Sequence, residues 1–276
     1  MRKKRVTQAA LIGICLLISY FFLLPFLFMF FTSFKDMAES IGSSRLVPSV
    51  WSFSNYIDLL NDLTNVQIVR WLMNTLLTTI LGVMLVVVVD TLAAYSLARL
   101  NLPGTGIILV AIVWIMSIPG IVTVFPAFYI AKNLNLVDSF IPLIFPYGAN
   151  VLGVYMIHNF LRNFPKELEE AAFVDGANLM TILVKVVVPV IRPVLITLAF
   201  ITFLNIYNDF LWPSLVISTN EMKTVTVGIS SLVLGSNFTN PGMMMAATLV
   251  AVVPALVLFV FLNRYIVQGV TNTGIK

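Results

Sequence analysis

Two carboxylates interrupt long apolar stretches of this 276-residue chain, and they are the first candidates for chemistry. Asp90 follows a run of valines, and Asp209 lies beside Asn205, Tyr207 and Asn208. A charged side chain at the centre of a bilayer costs roughly 2.5–3.5 kcal/mol on insertion scales, so it normally faces a polar partner or a water-filled path. Carboxylate, amide and aromatic groups together suit a hydroxyl-rich ligand. The group around Asp209 is therefore a candidate substrate path, and hydrogen bonding to the helices of a partner membrane subunit is the alternative explanation for both carboxylates.

Other residue types with chemical potential are sparse. His158 is the single histidine and ends an apolar stretch, where a solvated or hydrogen-bonded boundary residue is a simpler explanation than a proton relay. The run Met243–Met245 has no second cluster of Met, Cys or His, so we expect helix packing and no metal site. Cys15 is the single cysteine, which rules out an internal disulfide. No phosphate-binding G-x-x-x-x-G-K-[ST] sequence and no paired catalytic constellation occurs, so we expect neither an enzyme nor a cofactor in this chain.

The composition indicates where these residues must lie. Hydrophobic residues make up 59% of the chain and charged residues 10%, whereas a soluble domain needs a large polar surface. The solvent of this chain is therefore mostly lipid. The net charge of +4 is modest, and the one basic block, Arg2–Arg5, is too short to indicate a nucleic-acid partner.

Six segments are long and apolar enough to cross about 30 Å of hydrocarbon, which takes about 20 helical residues. They are residues 11–31, 71–94, 107–130, 140–160, 190–212 and 244–265. The first has the basic start of a signal peptide but is longer than a typical signal core and lacks a small-residue cleavage site, so we expect a retained helix. Four prolines interrupt the third and fourth segments, where helices bent around a pathway and ordinary packing both remain open. These prolines are Pro119, Pro126, Pro142 and Pro146.

The distribution of Lys and Arg predicts the orientation, because positively charged loops tend to remain in the cytoplasm. With the N-terminus inside, five basic residues fall outside, and they are Lys35, Arg45, Arg70, Lys132 and Lys223. The other eleven fall inside, and they are Arg2, Lys3, Lys4, Arg5, Arg99, Arg162, Lys166, Lys185, Arg192, Arg264 and Lys276. We therefore predict an all-α polytopic membrane protein with six transmembrane helices, one transmembrane domain over residues 1–276 and both termini in the cytoplasm.

Two connections are too long to be simple turns. Residues 32–70 form a predicted external loop, in which the aromatic stretch Trp51–Tyr56 is typical of an element anchored at the membrane interface. Residues 161–189 form a predicted cytoplasmic loop.

The cytoplasmic loop has the signals of two short helices. Pro165 suits a first helical turn, and the acidic residues after it favour the positive end of a helix dipole. Gly176 fits the left-handed position beyond a helix end. Asn178 can cap a second helix, which Pro189 would close. We therefore predict a helix-turn-helix on the inner face of the membrane.

The first of these two helices has the character of a docking element. Leu168, Ala171 and Ala172 share one face, and small residues allow another surface to approach closely. A short helix of this kind can seat in a groove of a soluble partner. The alternative is an amphipathic helix lying on lipid headgroups, but three glutamates near anionic lipid count against it.

The same loop also carries a resemblance to a known family. It contains, in order, Glu170-Ala171-Ala172, Gly176 and Val186-x-Val188-Pro189. This order resembles the E-A-A-x3-G-x9-I-x-L-P loop of permease subunits of binding-protein-dependent ABC importers, with valines in place of the usual Ile and Leu. Further stretches resemble the carbohydrate branch of that family, in particular the smaller membrane subunit of maltose transporters. They are Asn74-Thr75-Leu76, Ala93–Arg99, Pro165–Glu170, Asp175-Gly176-Ala177, Arg264–Val270 and Gly274-Ile275-Lys276, with Tyr207-Asn208-Asp209-Phe210 where the branch commonly has W-N-E-F.

The resemblance implies a type I ABC importer permease fold and a role in ATP-driven, binding-protein-dependent import of a sugar, expected to be an oligosaccharide. It implies that a partner ATPase docks on residues 167–183. The implied ATPase-coupling residues are Glu167, Glu169, Glu170, Ala171, Ala172, Asp175, Gly176 and Pro189.

The resemblance also implies the partners and the location. We expect a second, homologous permease, two ATP-binding subunits that bind ATP and Mg, and an extracytoplasmic solute-binding protein, all at the bacterial cytoplasmic membrane. The alternative is a self-contained secondary transporter driven by ions through Asp90 and Asp209.

Overall fold

The computed structural model describes residues 2–62, 66–100, 102–148, 150–234 and 240–273, and these residues form helices joined by short connections without any strand. The C-terminal stretch Gly274–Lys276 lies outside the described residues. In chain order the α-helices are α1 (Arg2–Ser33), α2 (Met37–Gly42), α3 (Ser54–Asn61), α4 (Ile68–Arg99), α5 (Thr105–Met116), α6 (Ile121–Asn133), α7 (Ile141–Ile144), α8 (Val151–Arg162), α9 (Glu167–Val174), α10 (Leu179–Ile182), α11 (Val188–Tyr207), α12 (Leu211–Val216), α13 (Val225–Leu234) and α14 (Pro241–Thr273).

Five helical stretches of the described residues are long and apolar enough to cross a membrane. They are Leu11–Ser33, Ile68–Arg99, Ile141–Arg162, Leu179–Tyr207 and Pro241–Phe261. The pair α5 and α6 would be a sixth, but the two helices meet at an angle of 100°. Pro119 lies in the four-residue break between them, where it cannot donate the backbone hydrogen bond that a continuous helix needs. Pro126, in contrast, lies inside α6, which continues through it.

The chain divides into two compact units. Unit 1 comprises Met1–Val69 and Gly228–Val253. Residues 11–31 of α1 include no buried side chain, so this helix presents apolar surface around its circumference. After α1 the chain folds back on itself around Asn55, a buried residue of α3. The Asn55 amide donates to the carbonyls of Ser33 (2.9 Å) and Lys35 (2.7 Å) and therefore fixes the end of α1 against α3.

Unit 2 comprises Arg70–Val227 and Pro254–Lys276. Its core is formed by α4, α5, α8 and the helical stretch from α10 to α11. The buried apolar residues of this core are Val86, Ala94, Tyr95, Ile112, Val154, Ile157, Leu161, Ile182, Leu183, Val187, Ile191, Val194 and Leu198. A smaller cluster joins Leu143 of α7 to Trp212 and Val216 of α12.

The prediction that Pro189 closes the second loop helix is wrong. Helix α10 continues through a π-helical turn, Leu183–Val187, directly into α11, and Pro189 lies in the first turn of α11. Proline has no backbone N–H and its ring collides with the carbonyl four residues earlier in a regular α-helix. The wider π-turn, in which Val188 N–H donates to the Leu183 carbonyl, accommodates the proline without ending the helix.

Candidate functional site

The loop helix α9 is fixed to the last turn of α4 by a buried ion pair. Arg99 Nε donates to Glu169 Oε1 at 2.7 Å, and the two side chains are only 6% and 10% exposed. Arg99 Nη2 also donates to the Phe164 carbonyl at 3.1 Å, in the connection that precedes α9. One guanidinium thus holds both the entry to α9 and its first turn, so α9 cannot shift without moving the end of α4 or breaking these bonds.

The C-terminal end of α9 is a Schellman turn. Gly176 has φ of +84° and donates its N–H to the Phe173 carbonyl, while Ala177 N–H donates to the Ala172 carbonyl, both at 3.0 Å. This is the pairing that satisfies the free carbonyls at a helix end, and the left-handed residue it needs is usually glycine. The predicted left-handed position of Gly176 beyond the helix end is therefore confirmed. Asn178 then caps α10, because its side chain accepts from Thr181 N–H at 2.8 Å, as predicted.

The predicted ATPase-coupling residues separate into an inner and an outer group. Glu169 is buried, and Ala172 is half-buried against the core of unit 2. The exposed members are Glu167, Glu170, Ala171, Asp175, Gly176 and Pro189. Exposed apolar side chains of α9 and α10 surround this outer group, and they are Leu168, Phe173, Val174, Leu179 and Met180. We call the exposed residues of α9 and α10 the loop-helix surface. Its large exposed apolar side chains make it a candidate surface for protein docking.

The opposite end of α4 holds the connection between α12 and α13. Trp71 Nε1 donates to the Asn220 carbonyl at 2.9 Å, and Asn74 Nδ2 donates to the carbonyls of Glu221 (2.8 Å) and Lys223 (3.0 Å). Thr75 Oγ1 accepts from the N–H that opens α13. The 32-residue α4 therefore carries polar attachments near both ends, roughly 40 Å apart between Trp71 and Arg99 at a rise of about 1.5 Å per residue.

Asp138 anchors the same connection from the other side. Its Oδ1 accepts from the N–H groups of Ser218 and Thr219 (both 3.1 Å) and from Thr219 Oγ1 (3.0 Å). Burial acts to raise the pKa of the Asp138 carboxyl, but these hydrogen bonds favour the ionised form more strongly and hold the pKa below its ordinary value. Ionised Asp138 is therefore a structural acceptor.

Helix α11 ends at Tyr207, inside the segment predicted as the fifth span, and Asn208 and Asp209 lie in the break before α12. Asp209 Oδ2 accepts from the Tyr147 hydroxyl at 2.6 Å, and its backbone carbonyl accepts from Thr226 Oγ1 at 2.8 Å. Both of these hydrogen bonds of Asp209 are made within this chain. Asn208 is exposed and donates to the Leu204 carbonyl of its own helix.

A cavity of about 460 Å³ lies next to this break, within unit 2. Polar groups of four residues line it, namely Tyr147, Asn150, Thr202 and Asn205. Asn150 is occupied in capping α8. The Thr202 hydroxyl is buried and has no hydrogen-bond partner within the described part of the chain.

The predicted substrate-path residues are therefore only partly brought together. Asn205 lines the cavity directly, whereas Asp209 accepts a hydrogen bond from Tyr147, which lines it. Tyr207 is buried elsewhere and stacks on Phe203, with ring centroids 5.2 Å apart. Asn208 does not line the cavity. Adjacent residues of a helix point to different sides. Closeness in sequence therefore did not show which of these four residues line the cavity.

Asp90 does not contribute to the cavity. It is 1% exposed, and neither carboxylate oxygen has a hydrogen-bond partner within the described residues. Its carboxylate lies against Gly153 of α8, where the absence of a side chain leaves room for it. Among the described residues no group of three or more His, Cys, Asp or Glu side chains comes together as a metal site would require.

Sequence reasoning missed three of these roles. Arg99 was noted only for its charge and its motif, and neither Tyr147 nor Asp138 was singled out. The partners of Arg99 and Tyr147 lie 70 and 62 positions away, and those of Asp138 lie 80 and 81 positions away, so no local pattern connects them.

Comparisons with known proteins agree on one family. Residues 90–272 match the family described as "Binding-protein-dependent transport system inner membrane component". The chain is 28% identical to the arabinooligosaccharides transport system permease protein AraQ of Bacillus subtilis (strain 168), over 98% of this chain and 96% of that protein. It is 33% identical to the trehalose transport system permease protein SugB of Mycobacterium tuberculosis (strain CDC 1551 / Oshkosh), over 92% of each. These relatives are permease proteins, which are transport components and not enzymes.

The fold agrees as well. A bacterial ABC transporter involved in the import of the acidic polysaccharide alginate contains a chain that superimposes with a TM-score of 0.82, at 22% identity and over 96% of both chains. The predicted type I ABC importer permease fold is confirmed, with five candidate membrane helices, or six if α5 and α6 form one bent span. The chain therefore belongs to the family of inner membrane components of binding-protein-dependent transport systems.

Proposed function

We propose that this chain is a permease subunit that translocates a sugar, most simply an oligosaccharide, into the cytoplasm in an ATP-driven importer. The observation that carries the proposal is the whole-length similarity to permease proteins named for arabinooligosaccharides and trehalose. The alginate importer of the same fold also carries a carbohydrate.

In this proposal the loop-helix surface receives a partner ATPase. Glu167, Glu170 and Asp175 are exposed carboxylates that can pair with basic groups, and the surrounding apolar side chains can enter a groove. Ala171 allows close approach. Gly176 and Pro189 shape the ends of the docking segment, whereas Glu169 and Ala172 attach it to the rest of the chain.

The ion pair between Glu169 and Arg99 supplies the mechanical connection. When ATP and Mg bind to the ATPase subunits and close them, α9 moves with its partner and carries the end of α4 through Arg99. The spans then change between inward-facing and outward-facing arrangements, and hydrolysis resets them.

The sugar path in this subunit includes the cavity at the end of α11. Asn205 offers an exposed amide to sugar hydroxyls. Asp209 orients the Tyr147 hydroxyl beside it. Neither Tyr207, which stacks on Phe203, nor Asn208, which donates to the Leu204 carbonyl, lines the cavity.

The remaining parts of the assembly follow from the family. A binding-protein-dependent system requires an extracytoplasmic solute-binding protein, and we propose a second, homologous permease and two ATP-binding subunits beside it. We place both termini in the cytoplasm and the chain in the bacterial cytoplasmic membrane, with the loop-helix surface inside. The eleven-to-five distribution of basic residues supports this orientation.

The first experiment is co-purification with a candidate ATPase. Glu170→Ala and Val174→Asp change exposed side chains and should leave the fold intact. We expect at least about tenfold weaker ATPase recovery, because loss of one good interface contact costs roughly 1.4 kcal/mol or more. Lys132→Ala, at the end of α6, is the matched exposed control and should have no effect.

Unchanged recovery in both variants would mean that the ATPase docks elsewhere.

A second assay measures uptake of labelled oligosaccharides into vesicles containing the assembled importer. Uptake that needs no ATPase but is abolished by Asp90→Asn would overturn the proposal in favour of a secondary transporter.

A further inference from the structure

Helix α3 of unit 1 has three distinct faces. Asn55 and Leu59 are buried against the protein. Asp58 and Asn61 form a polar face. The third face is apolar yet exposed, and it contains Phe53 at the helix cap, Ile57 and Leu60, which are 62%, 56% and 54% exposed.

Unlike a typical helix in water, α3 buries one apolar side chain, Leu59, but leaves a second apolar stripe exposed. A soluble helix buries its apolar stripe and exposes its polar residues, whereas α3 buries the amide of Asn55 and exposes three large apolar side chains at positions i, i+4 and i+7. Single exposed apolar residues are ordinary on protein surfaces, but a continuous stripe indicates a partner. Val50 and Trp51, just before the helix, are also exposed and extend the stripe.

The stripe is continuous with the apolar surface of α1. The Trp51 ring lies 6.4 Å from Phe30 and 5.9 Å from Phe31, measured between ring centroids. Phe34 lies 5.2 Å from Phe53 in the same way. Aromatic side chains therefore line the way from the candidate membrane span onto α3.

Hydrogen bonds fix α3 to the end of α1 and to the start of α14. Asn55 donates to the Ser33 and Lys35 carbonyls, and the Tyr56 hydroxyl lies 2.8 Å from Ser33 Oγ, at the last residue of the span Leu11–Ser33. Asn240 donates to Asn55 Oδ1 at 2.8 Å, directly before the span that begins at Pro241. Asn55 of α3 therefore forms hydrogen bonds at the end of one candidate span and directly before the start of another.

We infer that α3 is an interfacial anchor whose apolar stripe, formed by Phe53, Ile57 and Leu60, lies in the lipid of the leaflet at which α1 ends. The ends of membrane spans lie at the boundary between hydrocarbon and headgroups, where Trp and Tyr are enriched and amphipathic helices bury an apolar face. The polar face with Asp58 then points to water. This inference rests on the membrane location of the chain and is independent of the transported substrate.

The test measures where probes on each face of α3 lie in a bilayer. Cysteines are introduced one at a time by Ile57→Cys, Leu60→Cys and Asp58→Cys in a Cys15→Ser background, which removes the single native cysteine. Each is labelled with bimane on the full-length chain, with the subunits that co-purify with it, in phosphatidylcholine nanodiscs. Quenching is measured with lipid nitroxides placed near the carbonyl end or near the methyl end of the acyl chain, and with aqueous iodide.

We expect the labels at positions 57 and 60 to be quenched about twofold more by the shallow than by the deep nitroxide, and only weakly by iodide. The label at position 58 should be quenched more strongly by aqueous iodide than by either lipid nitroxide. Equal iodide quenching at all three positions would place the stripe in water and overturn the inference. Protection of positions 57 and 60 from both kinds of quencher would also overturn it, because a protein partner would then cover the stripe.

Discussion

Arg99 Nε and Glu169 Oε1 lie 2.7 Å apart in an ion pair that joins the last turn of α4 to the first turn of α9. The pair is shielded from solvent, and the same arginine bonds the Phe164 carbonyl. Glu170, the next residue, is exposed. Adjacent glutamates of one motif therefore have separable tasks, since Glu169 attaches α9 to the chain and Glu170 is free to meet a partner.

We predict that Glu169→Gln destabilises the protein by roughly 2–4 kcal/mol, because it leaves the Arg99 charge buried without its counter-ion. Glu170→Gln, one position along, should leave stability unchanged and weaken only the ATPase complex. Thermal unfolding in detergent and ATPase co-purification measure the two effects separately. A double-mutant cycle with Arg99→Gln should give a coupling energy of about 1–3 kcal/mol, and strictly additive single effects would show that the pair contributes nothing.

The left-handed backbone of Gly176 gives a second prediction. Gly176→Ala should cost about 1 kcal/mol of stability, because a Cβ disfavours φ of +84° although no neighbouring atom would touch it. Gly176→Asn should cost less, since asparagine tolerates this conformation. Equal stability of the alanine variant and the native chain, measured by thermal unfolding, would contradict the assignment of a Schellman turn.

Asn74→Ala should loosen the connection between α12 and α13. It removes two hydrogen bonds, to the carbonyls of Glu221 and Lys223, and should cost roughly 1–3 kcal/mol. Amide hydrogen exchange should quicken in residues 221–226. Thr78→Ala is the matched control one turn further along α4, because the buried Thr78 hydroxyl, within the described part of the chain, donates to carbonyls of its own helix. Equal exchange in both variants would remove the proposed role of Asn74.

The Asp138 carboxyl should make stability depend on pH in acid. Its folded pKa lies below the unfolded value of about 3.9, so its contribution is complete above that value and is lost as pH falls through the folded pKa. The stability difference between the native chain and Asp138→Asn should therefore be constant from about pH 7 to pH 5 and shrink below about pH 4. Thermal unfolding at several pH values measures this. A difference that grows on acidification would contradict the assignment.

The cavity at the end of α11 predicts which substrate-path residues matter. Asn205→Ala should raise the KM of sugar uptake several-fold without loss of stability, because it removes an exposed amide that can hydrogen-bond a sugar hydroxyl. Asn208→Ala is the control, since Asn208 is exposed and lies outside the cavity lining. A larger effect at position 208 than at position 205 would place the path elsewhere.

Local signals determined much of this protein. Apolar length alone predicts membrane helices, because hydrocarbon must be crossed by about 20 residues without an unsatisfied backbone group. Gly176 and Asn178 were predicted correctly in their caps, since helix ends depend on φ and on one side chain within a few residues. The loop motif identified the family for the same reason, as its residues are contiguous in sequence.

Tertiary structure decided the rest, because distant residues had to meet. The sequence placed three glutamates together, but only the fold turns Glu169 towards Arg99 and leaves Glu170 outside. The fold also places Asn205 at the cavity and Tyr207 against Phe203, away from it. A π-turn continues the helix through Pro189. The sequence determined where helices form, since that depends on neighbours along the chain; the packing of α4, α8, α9 and α11 decided which polar groups are paired and which remain available to a partner.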